Sequence, residues 1–286
     1  MRILVVGADG YIGNAVASHL YKLNYDVIGT TRRQVKSDTS YPTIFLDLSE
    51  DIPDFSDFDV AVICAAISSF RECEENPKLA RRINVDAPCE IAKKLKPRTG
   101  RLIYLSTAAV FDCQSPHRRE DEETKPISAY GCAKAAGEQA LLSCGERHTV
   151  LRMTKVLSPG EGIFSLWVDQ LKSGKDIEAI SDHFFCPISI EDVISAISAL
   201  LNTPFPGIVH ISGERDISYL DAALFFAHNL ASISNVHSIT ASSRNITKDQ
   251  ITLYTSLSVK RILEIIDFVP PHPFETLKRI YIEQAK

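Results

Sequence analysis

Arg2-Ile3-Leu4-Val5-Val6-Gly7-Ala8-Asp9-Gly10-Tyr11-Ile12-Gly13 is the stretch that decides how this chain is read. A β-rich run leads into glycines at every third position. The apolar spacing beyond them, through Ile12, Val16, His19, Leu20 and Leu23, is that of a helix with one buried face. Strand, glycine turn and helix in that order are what a dinucleotide-binding turn requires. Glycine permits the tight turn and lets backbone N–H groups approach a pyrophosphate. The helix start adds unpaired N–H groups and a partial positive charge. The spacing departs from G-x-G-x-x-G, because Asp9 stands in the place of the middle glycine. Gly7, Asp9, Gly10, Tyr11, Ile12 and Gly13 are the candidate phosphate-binding residues; a plain βα turn would use the same glycines, so the rest of the chain has to decide.

Downstream, short β-rich runs alternate with helical patterns, which predicts an α/β fold with a doubly wound parallel sheet of Rossmann type. Strands are expected over 2–6, 26–30, 43–46, 60–64, 101–106 and 149–153, and helices over 12–23, 77–95 and 128–144. Beyond Met153 the pattern changes, with helices expected over 163–171, 189–201, 218–230, 258–266 and 274–283 and a strand over 207–211. The expected organisation is a dinucleotide-binding domain over 1–155 and a smaller α/β substrate lobe over 156–286. A segment of the lobe, about 186–212, is expected to return to the first domain.

The bulk properties exclude several classes. A formal net charge of −5 argues against nucleic acid as the main partner. No apolar run approaches a membrane span, and the apolar start is too short for a signal peptide and reads as a strand. Seven cysteines without a C-x-x-C pair fit reduced thiols in a cytoplasmic protein. Asn245-Ile246-Thr247 matches a glycosylation acceptor, which has no meaning in such a chain. The eight histidines lack metal-ligand spacing, and no metal is expected.

The cofactor can be narrowed. In NAD-preferring folds an acid near the end of the second strand bonds the adenosine ribose 2′-OH. Here that place reads Thr30-Thr31-Arg32-Arg33, with two guanidinium groups and no acid. Arginine forks suit a 2′-phosphate, so NADP(H) is expected over NAD(H), with Thr31, Arg32 and Arg33 at the adenosine end.

Catalytic candidates come next. Tyr130-Gly131-Cys132-Ala133-Lys134 places a tyrosine one helical turn before a lysine, on the same helix face. A lysine cation beside a phenol favours the phenolate and would bring tyrosine into range for proton transfer. Thr107, in Leu105-Ser106-Thr107-Ala108-Ala109, would hydrogen-bond a substrate oxygen as charge develops on it. Cys132 is expected to be a buried spectator thiol. The charged run Arg118 to Glu123 is expected to be a solvated loop.

Taken together, the stretches ILVVGADGYIGNAV, LIYLSTAAVFD, PISAYGCAKAAGEQALL and FFCPISIEDVISAI resemble the extended short-chain dehydrogenase/reductases. Within them the chain most resembles the dTDP-4-dehydrorhamnose reductase group of sugar-nucleotide enzymes. The resemblance implies a catalytic set of Thr107, Tyr130 and Lys134, the last two also touching the cofactor. It implies that Asp47 and Leu48 flank the adenine, that Cys64, Ala65 and Ala66 line the cofactor, and that residues 153–156 run beside the nicotinamide. Asn84 resembles the group's supporting helix asparagine. Ala108 and Ala109 stand where 4,6-dehydratases carry acids, which argues against dehydration. The expected activity is NADP-dependent reduction of a keto group on a nucleotide-linked sugar. The alternatives are an epimerase that retains its cofactor, and a non-catalytic NADP-binding regulatory subunit such as the methionine adenosyltransferase β subunit, which resembles the same group. A homodimer is compatible with the resemblance.

Overall fold

The computed structural model describes residues 1–33, 39–230, 233–246 and 250–284. Thr247, the last residue of the glycosylation match, and residues 285 and 286 at the end of the expected lobe lie outside them. The framework is a sheet of seven parallel strands: β1 (Arg2–Val6), β2 (Asp26–Thr31), β3 (Thr43–Phe45), β4 (Val60–Ile63), β5 (Arg101–Thr107), β6 (Thr149–Met153) and β11 (Gly207–Ile211). Their order across the sheet is β11-β6-β5-β4-β1-β2-β3. The inner strands β1 and β4 are covered on both faces and read as nearly continuous apolar runs, whereas the edge strand β3 leaves Ile44 and Phe45 exposed. On one face Val5, Val62, Ile103 and Leu151 pack against Val16 and Leu20 of α1 (Tyr11–Lys22) and Val193 and Ile197 of α7 (Ile190–Asn202). On the other, Leu4, Ile63, Tyr104 and Val150 meet Ile91 of α4 (Ala87–Lys94) and Leu141 of α5 (Ala129–Ser143). The chain leaves β1 toward β2 on one side and returns through β4 on the other. A crevice therefore opens beyond the carboxyl ends of these two strands, where doubly wound sheets bind ligands.

The stretch 77–95 is not one helix. It follows α2 (Phe70–Glu75) and consists of α3 (Pro77–Arg81), a π-helical turn Arg82–Asp86, and α4. Pro88 has no N–H to give to the carbonyl four residues back, that of Asn84. The Tyr104 hydroxyl donates to that carbonyl at 2.7 Å. The helix expected over 258–266 is also absent: only the 3₁₀ turn Ile262–Glu264 forms. Ile262 and Phe268 are drawn into the core under the sheet, and the Arg261 guanidinium donates to the Ile208 carbonyl at 3.1 Å. These anchors hold the segment across the sheet edge and prevent it from winding into a helix.

The second half forms a smaller layer of short strand pairs. β7 (Lys155–Leu157) pairs with β10 (Pro187–Ser189), β8 (Ile177–Ile180) with β13 (Val236–Ile239), and β9 (Phe184–Phe185) with β12 (Ile217–Ser218). These join α6 (Gly162–Lys172), α8 (Tyr219–Asn229) and α9 (Pro273–Gln284) around Phe164, Trp167, Phe226 and Leu277. Ser189 and Ser218 start α7 and α8 with reciprocal capping boxes to Asp192 and Asp221.

One polar network crosses the apolar interior between β5, α5, β6 and β11. Arg152 Nη2 bonds Glu138 Oε2 at 2.7 Å, with the two side chains only 2% and 4% exposed. The Ser106 hydroxyl donates to the same carboxylate, and Arg152 Nη1 lies 3.3 Å from His210 Nε2. Since arginine only donates, His210 must accept through Nε2. Burial, reinforced by Arg152, pushes the His210 imidazole down to about 3 and keeps it neutral. A buried pair of this kind is costly to break from one side, because the survivor is left charged and unpaired. Arg152→Met should therefore lower stability by about 3–5 kcal/mol, while adding Glu138→Met should recover most of that loss. Urea unfolding of the two single variants and the double variant measures the coupling.

Candidate active site

The crevice at the β1/β4 switch is a cleft of about 540 Å³. Gly7 leaves β1 with φ +82°, and a Cβ there would lie 2.7 Å from the Ala65 Cβ, so the two strand ends approach as only glycine allows. At Gly13 a Cβ would lie 2.1 Å from the Gly7 carbonyl oxygen, which seats α1 directly on the turn. Gly10 starts α1 with no side-chain cap, and Gly10, Tyr11, Ile12 and Gly13 all line the cleft. The helix start is thus left to a ligand, and at Gly10, where a Cβ would meet only the Gly7 carbonyl oxygen at 3.4 Å, the missing side chain leaves the approach open. Both features suit a pyrophosphate. The Tyr41 hydroxyl, which the sequence reading overlooked, lies 2.9 Å from the Ala8 carbonyl and 2.8 Å from the Asn14 side-chain oxygen, bracing the turn from β2's side.

Gly7, Asp9, Gly10, Tyr11, Ile12, Gly13, Thr31, Arg32, Asp47, Leu48, Cys64, Ala65 and Ala66 all line this cleft, and so do Thr107, Tyr130 and Lys134. Arg33 does not: its backbone N–H donates to the Thr31 hydroxyl at 3.0 Å, and its side chain is exposed. At the β2 end of the cleft the Asp9 carboxylate accepts from Thr31 Oγ1 at 3.3 Å. The Ser49 hydroxyl and N–H hold the Asp47 carboxyl below the usual range, with a smaller pull from Arg32. Met153, Thr154 and Val156 line the cleft; Lys155, alternating on its strand, faces the rings of Phe164 and Tyr219. Ile67, Ser68, Ser69 and Glu72, which follow β4, complete the wall and had no signature in the sequence. Asn84, fully buried in the π turn, clamps the Ile67 N–H and carbonyl, each at 3.0 Å.

The reacting end is built by α5 lying on the end of β5. The Ser128 hydroxyl caps α5 by accepting from the Gly131 N–H at 3.1 Å. A Cβ at Gly131 would lie 2.2 Å from the Ala109 carbonyl oxygen, so this glycine lets the helix start reach the turn after Thr107. Thr107 Oγ1 accepts from the Ala109 N–H at 3.1 Å. Burial raises the Tyr130 phenol, and the facing Thr107 hydroxyl opposes only part of that rise. The Phe70 ring stacks on Tyr130 with centroids 5.8 Å apart.

Lys134 is held at the end of β5. Its Nζ donates to the Leu105 carbonyl at 2.6 Å and sits 3.6 Å from the centroid of the Tyr104 ring. Burial pulls Lys134 down to about 7, with Glu138 the chief opposing influence. Burial thus shifts both groups toward their uncharged forms, the phenol upward and the ammonium downward. Two further expectations change. Cys132 is exposed, not buried. The run from Arg118 is tied down: Arg118 pairs with Glu122 at 3.1 Å and lies over the Phe111 ring, and Glu120 is buried. Ala108 packs with Val110, Phe111 and Leu257, outside the cleft.

Comparison with known proteins places this geometry in context. A probable dTDP-4,6-dihydroxy-2-methyloxan-3-one 4-ketoreductase of Streptomyces antibioticus is 30% identical, with 78% of this chain and 75% of that protein covered. The methionine adenosyltransferase 2 subunit beta of Xenopus tropicalis is also 30% identical, over 81% of this chain and 73% of that one. The crystal structure of a dTDP-4-dehydrorhamnose reductase from Bacillus anthracis in complex with NADP superposes with a TM-score of 0.83, covering 99% of each chain at 20% identity, and shares the fold. The family model described as RmlD substrate binding domain matches residues 1–285, and the chain belongs to that family.

Proposed function

We propose that this protein is an NADP-dependent reductase of a keto group on a nucleotide-linked sugar. The observation that carries the reading is that Thr107, Tyr130 and Lys134 line the same cleft as the glycine turn. Gly7, Gly10, Gly13 and Arg32 would hold NADPH, the arginine at a 2′-phosphate, and the cofactor when bound would supply the hydride for the carbonyl carbon. Thr107 orients the carbonyl oxygen, and Tyr130 donates its phenolic proton to that oxygen as negative charge develops there. The neutral phenol is the proton-donating form that this role requires. Lys134 holds its ammonium at the end of β5, with donors to spare for ribose hydroxyls. Ala108 and Ala109 bring no acid to the site, which leaves dehydration without its usual carboxyl groups.

A second reading is favoured by the 30% identity to the Xenopus tropicalis subunit: a protein that binds NADP(H) and regulates a partner enzyme without turnover. A panel of keto-sugar nucleotides followed by NADPH absorbance separates the two. Steady oxidation with at least one substrate supports the reductase, and Tyr130→Phe should then lower turnover by about 10²- to 10⁴-fold. Interconversion of sugars with no net NADPH loss would indicate an epimerase. NADP(H) binding without turnover on the whole panel would favour the regulatory reading. For the cofactor, Arg32→Ala should weaken NADPH binding by about tenfold or more and leave NADH nearly unaffected, as isothermal titration would show. Arg33→Ala, outside the cleft, should change both little.

A further inference from the structure

We infer that Tyr104 is a positioning residue for Lys134, its ring serving as the face on which the lysine ammonium rests. The catalytic consequence of this inference rests on the function proposed above; the placement itself does not.

Side-chain alternation along β5 sends Tyr104 and Ser106 toward α5. The face of α5 that meets them carries Lys134, Gly137, Glu138 and Leu141, all buried. The Lys134 ammonium is out of solvent, and it meets the Leu105 carbonyl at 2.6 Å and the Tyr104 ring at 3.6 Å from its centroid. The nearby carboxylate is already engaged, since Glu138 accepts from Ser106 and from Arg152 Nε and Nη2, at 3.0 and 2.7 Å for the arginine atoms. Beside the Leu105 carbonyl and the charge of Glu138, the ring quadrupole is thus a further source of stabilisation for a cation that has left water.

The ring is also fixed on its far side. Its hydroxyl donates to the Asn84 carbonyl, the one that Pro88 cannot satisfy. A Cβ at Gly137 would lie 2.5 Å from that hydroxyl and 2.4 Å from the Asn84 carbonyl oxygen, so glycine is required for the helix to pass over the pair. Proline, asparagine, tyrosine and glycine from three segments thus converge on one ring orientation, beneath the lysine. The titratable groups that face Lys134 are Tyr130 and Glu138 on α5, Cys64 after β4, and Tyr104 itself on β5. Burial pushes the Cys64 thiol up to about 12, so it brings no charge near neutrality.

The test is an NMR titration of the Lys134 side chain in the full-length protein carrying ¹³C-lysine, without cofactor or substrate. Lys134→Met identifies the signal. Tyr104→Phe keeps the ring and should leave the lysine pKa close to that of the parent. Successively fluorinated phenylalanines at position 104 keep the shape and drain the ring face; they should lower the pKa stepwise, by about one unit in total. Tyr104→Leu should lower it as far, and the fluorinated series stands alone if that variant does not fold. An unchanged pKa through the series, or a fall in Tyr104→Phe as large as in Tyr104→Leu, overturns the inference. Absence of turnover on keto-sugar nucleotides alongside the stepwise fall would instead overturn the proposed function and leave the placement of Lys134 standing.

Discussion

The site depends on how closely α5 lies on β5. At Gly131 and Gly137 the helix passes nearer to backbone and side-chain oxygens than any Cβ permits. That approach brings Tyr130 beside Thr107, seats Lys134 on the Leu105 carbonyl and the Tyr104 ring, and delivers Glu138 to Ser106 and Arg152. A bulkier residue at either glycine would lift the helix and disturb all of these contacts together, because they lie on one face with the spacing of a single helix.

Such closeness has an electrostatic cost. A lysine and a glutamate one turn apart on α5, and an arginine of β6 facing the glutamate, are taken from water, and each would be strongly unfavourable alone. The arrangement offsets this by pairing Glu138 with Arg152, by keeping His210 neutral as an acceptor, and by giving Lys134 a carbonyl and an aromatic face. Tyr130 remains neutral for the same reason that Lys134 is drawn down: burial disfavours the charged form of each. Tyr130 and Lys134 thus share one helix face, each shifted toward its uncharged form.

What could be read in the sequence was what depends on short-range geometry. The glycine turn, the Tyr130/Lys134 spacing and the alternation of strands and helices are local patterns, and they led to the seven-stranded parallel sheet and the cleft at its switch point. What depends on distant contacts was not legible. Gly131 and Gly137 look like ordinary helix residues until the Ala109 and Asn84 carbonyls are placed beside them. The strand pairs of the second half are two to four residues long and are selected by their partners, not by periodicity. The helix expected over 258–266 had suitable residues, but Ile262 and Phe268 are claimed by the core. Arg32 and Arg33 looked equivalent, yet only Arg32 lines the cleft.

In the proposed reaction this cleft passes a hydride from a nicotinamide to a sugar carbonyl while Tyr130 supplies the proton. The most direct measurement follows the label. With NADPH dideuterated at the nicotinamide C4 and a keto-sugar nucleotide as substrate, this reaction yields reduced sugar nucleotide carrying deuterium at the former carbonyl carbon, by mass spectrometry and NMR, with matching loss of NADPH. Product without deuterium, or sugar isomerised while the NADPH is left intact, would contradict it.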